Sequence, residues 1–395
     1  MTDSRSYRDL GVSSAKEDVV AAARLQGEGL FPGAFCKVIA DVLTGDPDTC
    51  LALHSDGAGT KALVAYLAFR ETGDPAVFAT LAQDALVMNT DDLLCLGARG
   101  PFVVTNTIGR HRGLIPGEAV EAIVGGYERC ARALAPFGVE IVLCGGETED
   151  VGDLVRTLVV DASAACRLRR DEVIDGSRVR PGDLIVGLAS AGRARYEDAV
   201  SSGIGSNGLT LARHVLLDAS YRERFPEAAA PETPAELAYR GPFALTDRPA
   251  ALGMTVGEAL LSPTRTYAPV LRVVLAELRS GVHGLVHCTG GGQTKCLRLG
   301  AGVRFVKDAL FEPPPVFRLI QATGGLSWEE MAQVFNLGHR MELFVDAAAA
   351  GEVIEASAAL GVEARVVGRC EALTEGPRLL IDGPGGPLAF GRPAA

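Results

Sequence analysis

Residues 117–146, GEAVEAIVGGYERCARALAPFGVEIVLCGG, set the fold class. The first part reads as an amphipathic helix that Pro136 and Gly138 bring to an end. VEIVLCGG (139–146) is then a short apolar run closing on two glycines, the signature of a buried strand leading into a glycine turn. On either side, FVVTNTI (102–108) predicts a strand before the helix, and LVRTLVVDASAACRL (154–168) a strand region after it. CLALHSDG (50–57) reads as a short strand running into a loop. Residues 76–97, rich in Ala and Leu with Asp and Asn at intervals, read as a helix, and AKEDVVAAARLQ (15–26) has helical spacing. DEVIDGSRVRPGD (171–183) is polar and carries Pro-Gly, so a domain boundary is expected there, before a new strand, LIVGLAS (184–190). Strands and helices alternate again beyond it. The expectation is an α/β or α+β chain with one unit over 1–172 and another over 173–395. Residues 218–247, rich in Pro, Glu, Ala and Arg, read as a surface insertion, and EPPPVF (312–317) as a rigid turn.

The composition fits two packed units. Of 395 residues, 48% are apolar but only 6% aromatic, with Trp328 the one tryptophan, so the cores rest on Ala, Val, Leu and Ile. A net charge of −11 argues against a nucleic-acid backbone as partner, but not against a small phosphate ester. The nine cysteines (36, 50, 95, 130, 144, 166, 288, 296 and 370) form no CxxC pair and sit mostly beside apolar residues, which predicts buried, reduced thiols. The opening MTDSRSYRDLGV has no apolar core of a signal peptide, and no long uncharged apolar run follows, so a cytoplasmic protein without a membrane span is expected.

Five stretches carry the chemistry. SDGAGTK (55–61) follows a strand. Asp56 is a hard oxygen donor for Mg²⁺, Gly57 and Gly59 let backbone approach a phosphate, and Lys61 supplies a point charge. The alternative is a strand–turn with a solvated lysine. DALVMNTDD (84–92) places Asp84 and Asp91 two helical turns apart on one face, with Asp92 beside them. In so apolar a helix these carboxylates need a partner, and a divalent metal shared with Asp56 is the expectation. GGETED (145–150) presents Glu147 and Thr148 at the end of a strand, where α/β proteins bind ligands. GIGSNGLTLAR (203–213) reads as a helix start capped by Ser206 and Asn207, open to an anion or simply capped. HGLVHCTGGGQTK (283–295) ends a strand on three glycines, which calls for a ligand or another backbone close by, and His287 is an acid/base candidate or a structural histidine.

In this order the motifs resemble the aminoimidazole ribonucleotide (AIR) synthetase family, the phosphoribosylformylglycinamidine cyclo-ligases. The likeness runs from Tyr7 and Gly11-Val12 through DGAGTK (56–61), LGA (96–98), GGET (145–148), SNG (206–208) and PTRTY (263–267) to HCTGGG (287–292) and VFNLGHRM (334–341). It implies a two-domain fold with an N-terminal mixed sheet that forms a dimer barrel, a C-terminal α/β domain, and a homodimer. It implies that ATP phosphorylates the formyl-derived oxygen of formylglycinamidine ribonucleotide, that a nitrogen then attacks, and that phosphate leaves AIR behind. On this resemblance Asp56, Lys61, Asp84 and Glu147 are the catalytic candidates, and Asp56, Asp84, Asp91 and Asp92 hold Mg²⁺. Gly57, Gly59, Thr60, Lys61, Thr148, Ser206 and Asn207 meet ATP. His287, Thr289, Gly290, Gly291, Gly292, Arg265 and Asn336 meet the nucleotide substrate. The chain departs from the family pattern at Asp91 (usually Asn), at Gly205 (usually His), at 149–152, and in GLFPGAF (29–35). The alternatives are another ATP-dependent enzyme of this fold with a different small substrate, or a non-catalytic nucleotide-binding regulator.

Overall fold

A computed structural model describes residues 5–12, 27–300 and 302–391. The helical spacing over 15–26 lies outside the described residues. The strands form two mixed sheets. Val38–Ala40 (β1), Thr49–Gly57 (β2), Phe102–Arg110 (β3), Ile141–Asp150 (β4) and Leu158–Arg169 (β5) make the first, in the order β1-β2-β5-β3-β4. Leu184–Ala189 (β6), Val282–His287 (β7), Val303–Lys307 (β8), His339–Val345 (β9), Ala364–Ala372 (β10), Leu379–Gly383 (β11) and Gly386–Phe390 (β12) make the second, in the order β12-β11-β8-β10-β6-β9-β7.

Helices Lys61–Thr72 (α1), Thr80–Leu94 (α2) and Gly117–Leu134 (α3) belong to the first half; Leu209–Leu216 (α4), Ala268–Glu277 (α5) and Trp328–Val334 (α6) are among those of the second. The predicted helix over 76–97 is a 3-10 turn, Pro75–Ala79, that runs into α2. In α2 every residue but Thr80 and Gln83 is buried, because it packs on β2 and β5 of the first sheet and on β7 of the second. So apolar a helix has no solvent face to keep, and its polar side chains must find protein partners.

Two expectations change. VEIVLCGG is not a buried strand closing on a turn. It is the start of β4, an edge strand paired in parallel with β3, and residues 144–150 are exposed within it. The parallel pairing follows from the intervening α3, which returns the chain to the same end of the sheet. The 218–247 stretch is not merely superficial. Tyr221, Phe225, Ala228 and Tyr239 are buried, with Tyr221 Oη donating to Glu71 (2.5 Å) on α1 and Arg213 of α4 donating to Tyr239 Oη (3.0 Å). Seven of the nine cysteines are buried, Cys130 is half-buried and Cys144 exposed, and all are free thiols. No helix among the described residues is long and apolar enough to cross a membrane.

Candidate active site

The motifs converge on α2. Asp84 Oδ1 accepts from Lys61 Nζ (2.8 Å), Ser206 Oγ (3.1 Å), Thr264 N (2.9 Å) and Thr264 Oγ1 (2.5 Å). Two turns on, Asp91 accepts from Thr266 Oγ1 (2.6 Å) and Tyr267 N (2.9 Å). The two carboxylates do share a face, and what lies along that face is the segment 264–267 of the second half. These bonds give both carboxylates protein partners, while Asp84 Oδ2 is buried without one. Burial pushes the Asp91 carboxyl up, against the pull of His287 and the Thr266 hydroxyl.

Lys61 is likewise turned inward. It is fully buried, neutralises Asp84 and also donates to the Ser262 carbonyl. Burial lowers its pKa, and the Asp84 charge opposes that shift. The lysine of SDGAGTK therefore clamps the two halves together. Its neighbour Thr60 does the same through a 2.9 Å hydroxyl contact with Thr210.

Asp92 belongs to a different network. Its Oδ1 accepts from His287 Nδ1 (2.7 Å), and its Oδ2 lies 3.3 Å from His54 Nε2. Arg340 Nε donates to His287 Nε2 (3.1 Å); arginine has no acceptor, so the hydrogen of His287 sits on Nδ1 and points at Asp92. Burial raises the Asp92 pKa, but His287, His54 and Lys295 together outweigh it and the net direction is down. Sequence reasoning missed His54, whose position on the inner face of β2 only the sheet reveals.

Several of the expected ligand residues have protein partners. Arg265 pairs with both carboxylate oxygens of Glu197 (2.7 Å each) and donates to the carbonyls of Ala189 and Ala191 (2.9 Å each), so its guanidinium is not available to a substrate phosphate. Asn336 accepts from Ser190 Oγ (2.8 Å) and Gly338 N and donates to Gly203 O (2.9 Å); its carboxamide fastens three loops. Gly208, not Ser206 or Asn207, is the N-cap of α4, and no side-chain cap forms. A Cβ on Gly208 would meet the Phe335 ring at 2.3 Å. Gly292 answers to another backbone, since a Cβ there would lie 2.6 Å from the carbonyls of Ala332 and Phe335. Thr289 Oγ1 accepts from Lys295 Nζ (3.1 Å), Gly291 is buried and Gly290 exposed.

The open ground is at the end of β2. Asp56 is exposed, and its Oδ1 accepts from Gly57 N (2.7 Å). Asp161 of β5 lies across from Gly57, so close that a Cβ on Gly57 would lie 1.8 Å from its Oδ1. Burial and the Asp56 charge push the Asp161 carboxyl up. The row continues through Thr107 to Glu147 on β4, with Thr148 next to it. A carboxylate whose proton affinity is raised by a second one close by suits a hard divalent cation. Asp161 was also missed; its alternation with apolar residues in VVDAS was the available signal. Beside Gly59 and Thr60 opens a cavity of about 450 Å³, lined also by Thr210, Arg213 and Ala228.

Family models match both halves of the chain. The model of the AIR synthase related protein N-terminal domain matches residues 37–167, and that of the C-terminal domain residues 180–376. A phosphoribosylformylglycinamidine cyclo-ligase of Methanocaldococcus jannaschii is 31% identical over 369 residues, covering 92% of this chain and 91% of the relative. The enzyme of that name from Symbiobacterium thermophilum is 34% identical over 343 residues, 85% and 84% of the two chains. Among solved structures, the protein tt0281 from Thermus thermophilus superposes with a TM-score of 0.53 at 20% identity, covering 95% of this chain and 98% of that one. The hydrogenase maturation protein HypE gives 0.55 at 16% identity over 87% and 89%. These two share the fold. With both family models matched in order and relatives above 30% identity along nearly the whole length, this chain belongs to the AIR synthase related family.

Proposed function

We propose that this chain is a phosphoribosylformylglycinamidine cyclo-ligase, closing the imidazole ring of AIR from formylglycinamidine ribonucleotide with ATP turned over to ADP and phosphate. The observation that carries the reading is the full-length relationship to enzymes of that name, 31–34% identical. The convergence of SDGAGTK, SNG, PTRTY and HCTGGG on one helix, α2, supports it.

Asp161 and Glu147, in one row across the sheet, and Asp56, in the next pair along β2, have the oxygen donors that Mg²⁺ prefers; bound there, the ion would neutralise charge on the transferring phosphoryl group. Gly57 and Gly59 offer backbone to the phosphates, and Thr148 lies beside Glu147 on β4. The cavity beside Gly59 and Thr60 has room for the base and ribose of the nucleotide. The chain's own contribution is positioning: Lys61, Asp84 and Thr264 fix the two halves so that nucleotide and substrate meet in one geometry.

A homodimer is part of this proposal. On the outer face of the first sheet, Leu53, Ala165, Val103 and Val142 stand in one row across four strands, and Leu53, Val103 and Val142 are exposed. An apolar stripe across a sheet face is a surface that a second copy would cover.

If the formyl oxygen is phosphorylated and expelled, substrate carrying a heavy-oxygen label at that position must deliver the label into inorganic phosphate. Mass spectrometry of the released phosphate reads this directly. Labelled phosphate in step with AIR supports the reading, and unlabelled phosphate rejects it.

A further inference from the structure

Cys36, His54 and Asp92 lie outside the roles given above and come from three separate segments: the loop before β1, the inner face of β2, and the last turn of α2. Their sulfur, imidazole nitrogen and carboxylate oxygen all lie within 4.8 Å of one another. The Cys36 thiol reaches the Asp92 carbonyl at 3.5 Å and is buried.

The orientation of His54 sharpens the point. Asn89 Nδ2 donates to the carbonyls of Ala85 (2.8 Å), Asp56 (2.9 Å) and Ala162 (3.0 Å), so its oxygen is the atom that faces His54 Nδ1 at 3.1 Å. That contact needs a hydrogen on Nδ1. In its neutral form the ring then turns the Nε2 lone pair toward Asp92 Oδ2 at 3.3 Å. Two acceptors facing each other require a positive centre between them, a proton or a metal ion. The outer shell is also in place: Asn89 orients His54, and the Nδ1–H of His287 orients Asp92, as such outer partners do at metal sites.

We propose that Cys36, His54 and Asp92 form a site for a thiophilic divalent cation of the zinc type, with a fourth position open on the exposed side of His54. The donor set decides the class. A thiolate and an imidazole beside one carboxylate suit Zn²⁺ or Co²⁺ and not Mg²⁺, which takes oxygen ligands. Tetrahedral coordination at the usual zinc bond lengths puts donor atoms roughly 3.3–3.6 Å apart, so the three draw in by at most about 1.5 Å. On binding, the Cys36 S–H bond breaks, its proton leaves to solvent, and the sulfur bonds the ion. The His54 side chain is 23% exposed and provides the way in. Burial and the Asp92 charge hold the thiol pKa well above its usual value, so the ion has to displace a firmly held proton.

The test is optical titration of the chelator-stripped full chain with Co²⁺ under reducing, anaerobic conditions. The expected result is one cobalt per chain, with visible bands of tetrahedral cobalt and a near-ultraviolet thiolate-to-cobalt band that Zn²⁺ removes. Cys36→Ser should abolish the near-ultraviolet band, and His54→Ala should weaken binding by about tenfold or more. Cys144→Ser, which removes the exposed thiol, should leave the spectrum unchanged. Circular dichroism of each variant separates loss of the site from loss of the fold. A folded wild-type chain without the thiolate band overturns the proposal, as does a band that survives Cys36→Ser or disappears with Cys144→Ser. The readout does not depend on turnover, so it stands or falls apart from the cyclo-ligase reading.

Discussion

Lys61 and Asp84 show what a single residue pair does here. Both are fully buried, and each is the other's counter-charge. Removing one partner leaves an uncompensated charge in an apolar setting, so Lys61→Met should cost about 3–5 kcal/mol in urea unfolding. A lysine that served only a bound phosphate would leave stability unchanged. Asp56 is the opposite case, exposed and beside Asp161, and Asp56→Asn should lower turnover by at least about two orders of magnitude with little change in stability. Kinetics on the folded variant checks this, and near-normal turnover would take Asp56 out of the site. The sequence shows that Asp84 and Asp91 share a helical face and that burial obliges them to find partners. It does not show which partners, because Thr264 and Thr266 are far along the chain and a metal satisfies the same requirement. Lys61 was legible as a residue of the motif, but its direction was not, since only packing decides which way a long side chain turns.

At the scale of elements, the helix–turn–strand unit over 117–150 was readable because local periodicity and the Pro136 and Gly138 stop signals agree. The edge position of β4 was not, because an apolar run looks the same in the middle of a sheet and at its rim. Residues 218–247 misled for a related reason. Their composition is that of a loop, yet Tyr221, Phe225 and Tyr239 pack against α1 and α4, and aromatic side chains need few neighbours in sequence to build a core. His214 of α4 stands in this packing. Its Nδ1 accepts from Tyr239 N (3.2 Å), and burial, with the Arg213 charge adding, holds its pKa down to about 2. The unfolded chain takes up a proton near the ordinary value of 6.5 and the native chain does not. Stability should therefore fall as pH drops below that value, by up to about 1.4 kcal/mol per unit. His214→Asn, which keeps an acceptor for the Tyr239 amide, should flatten that part of the stability curve measured by urea unfolding. An unchanged slope would mean that His214 does not titrate in this way.

For the whole molecule, α2 is the piece that joins the halves: it packs on strands of both sheets and carries the carboxylates that grip 264–267 and His287. The open face of the first sheet leads to a prediction at this scale. Leu53→Asp places a charge in the apolar row and should convert a dimer to a monomer in sedimentation equilibrium, whereas a wild-type chain that is already monomeric would refute the dimer. The cyclo-ligase reaction itself is tested by ADP release from Mg-ATP by the purified chain, with and without formylglycinamidine ribonucleotide. ADP formation should depend on that substrate and match AIR mole for mole. ATP turnover indifferent to the substrate, or no AIR beside the ADP, would overturn the assignment.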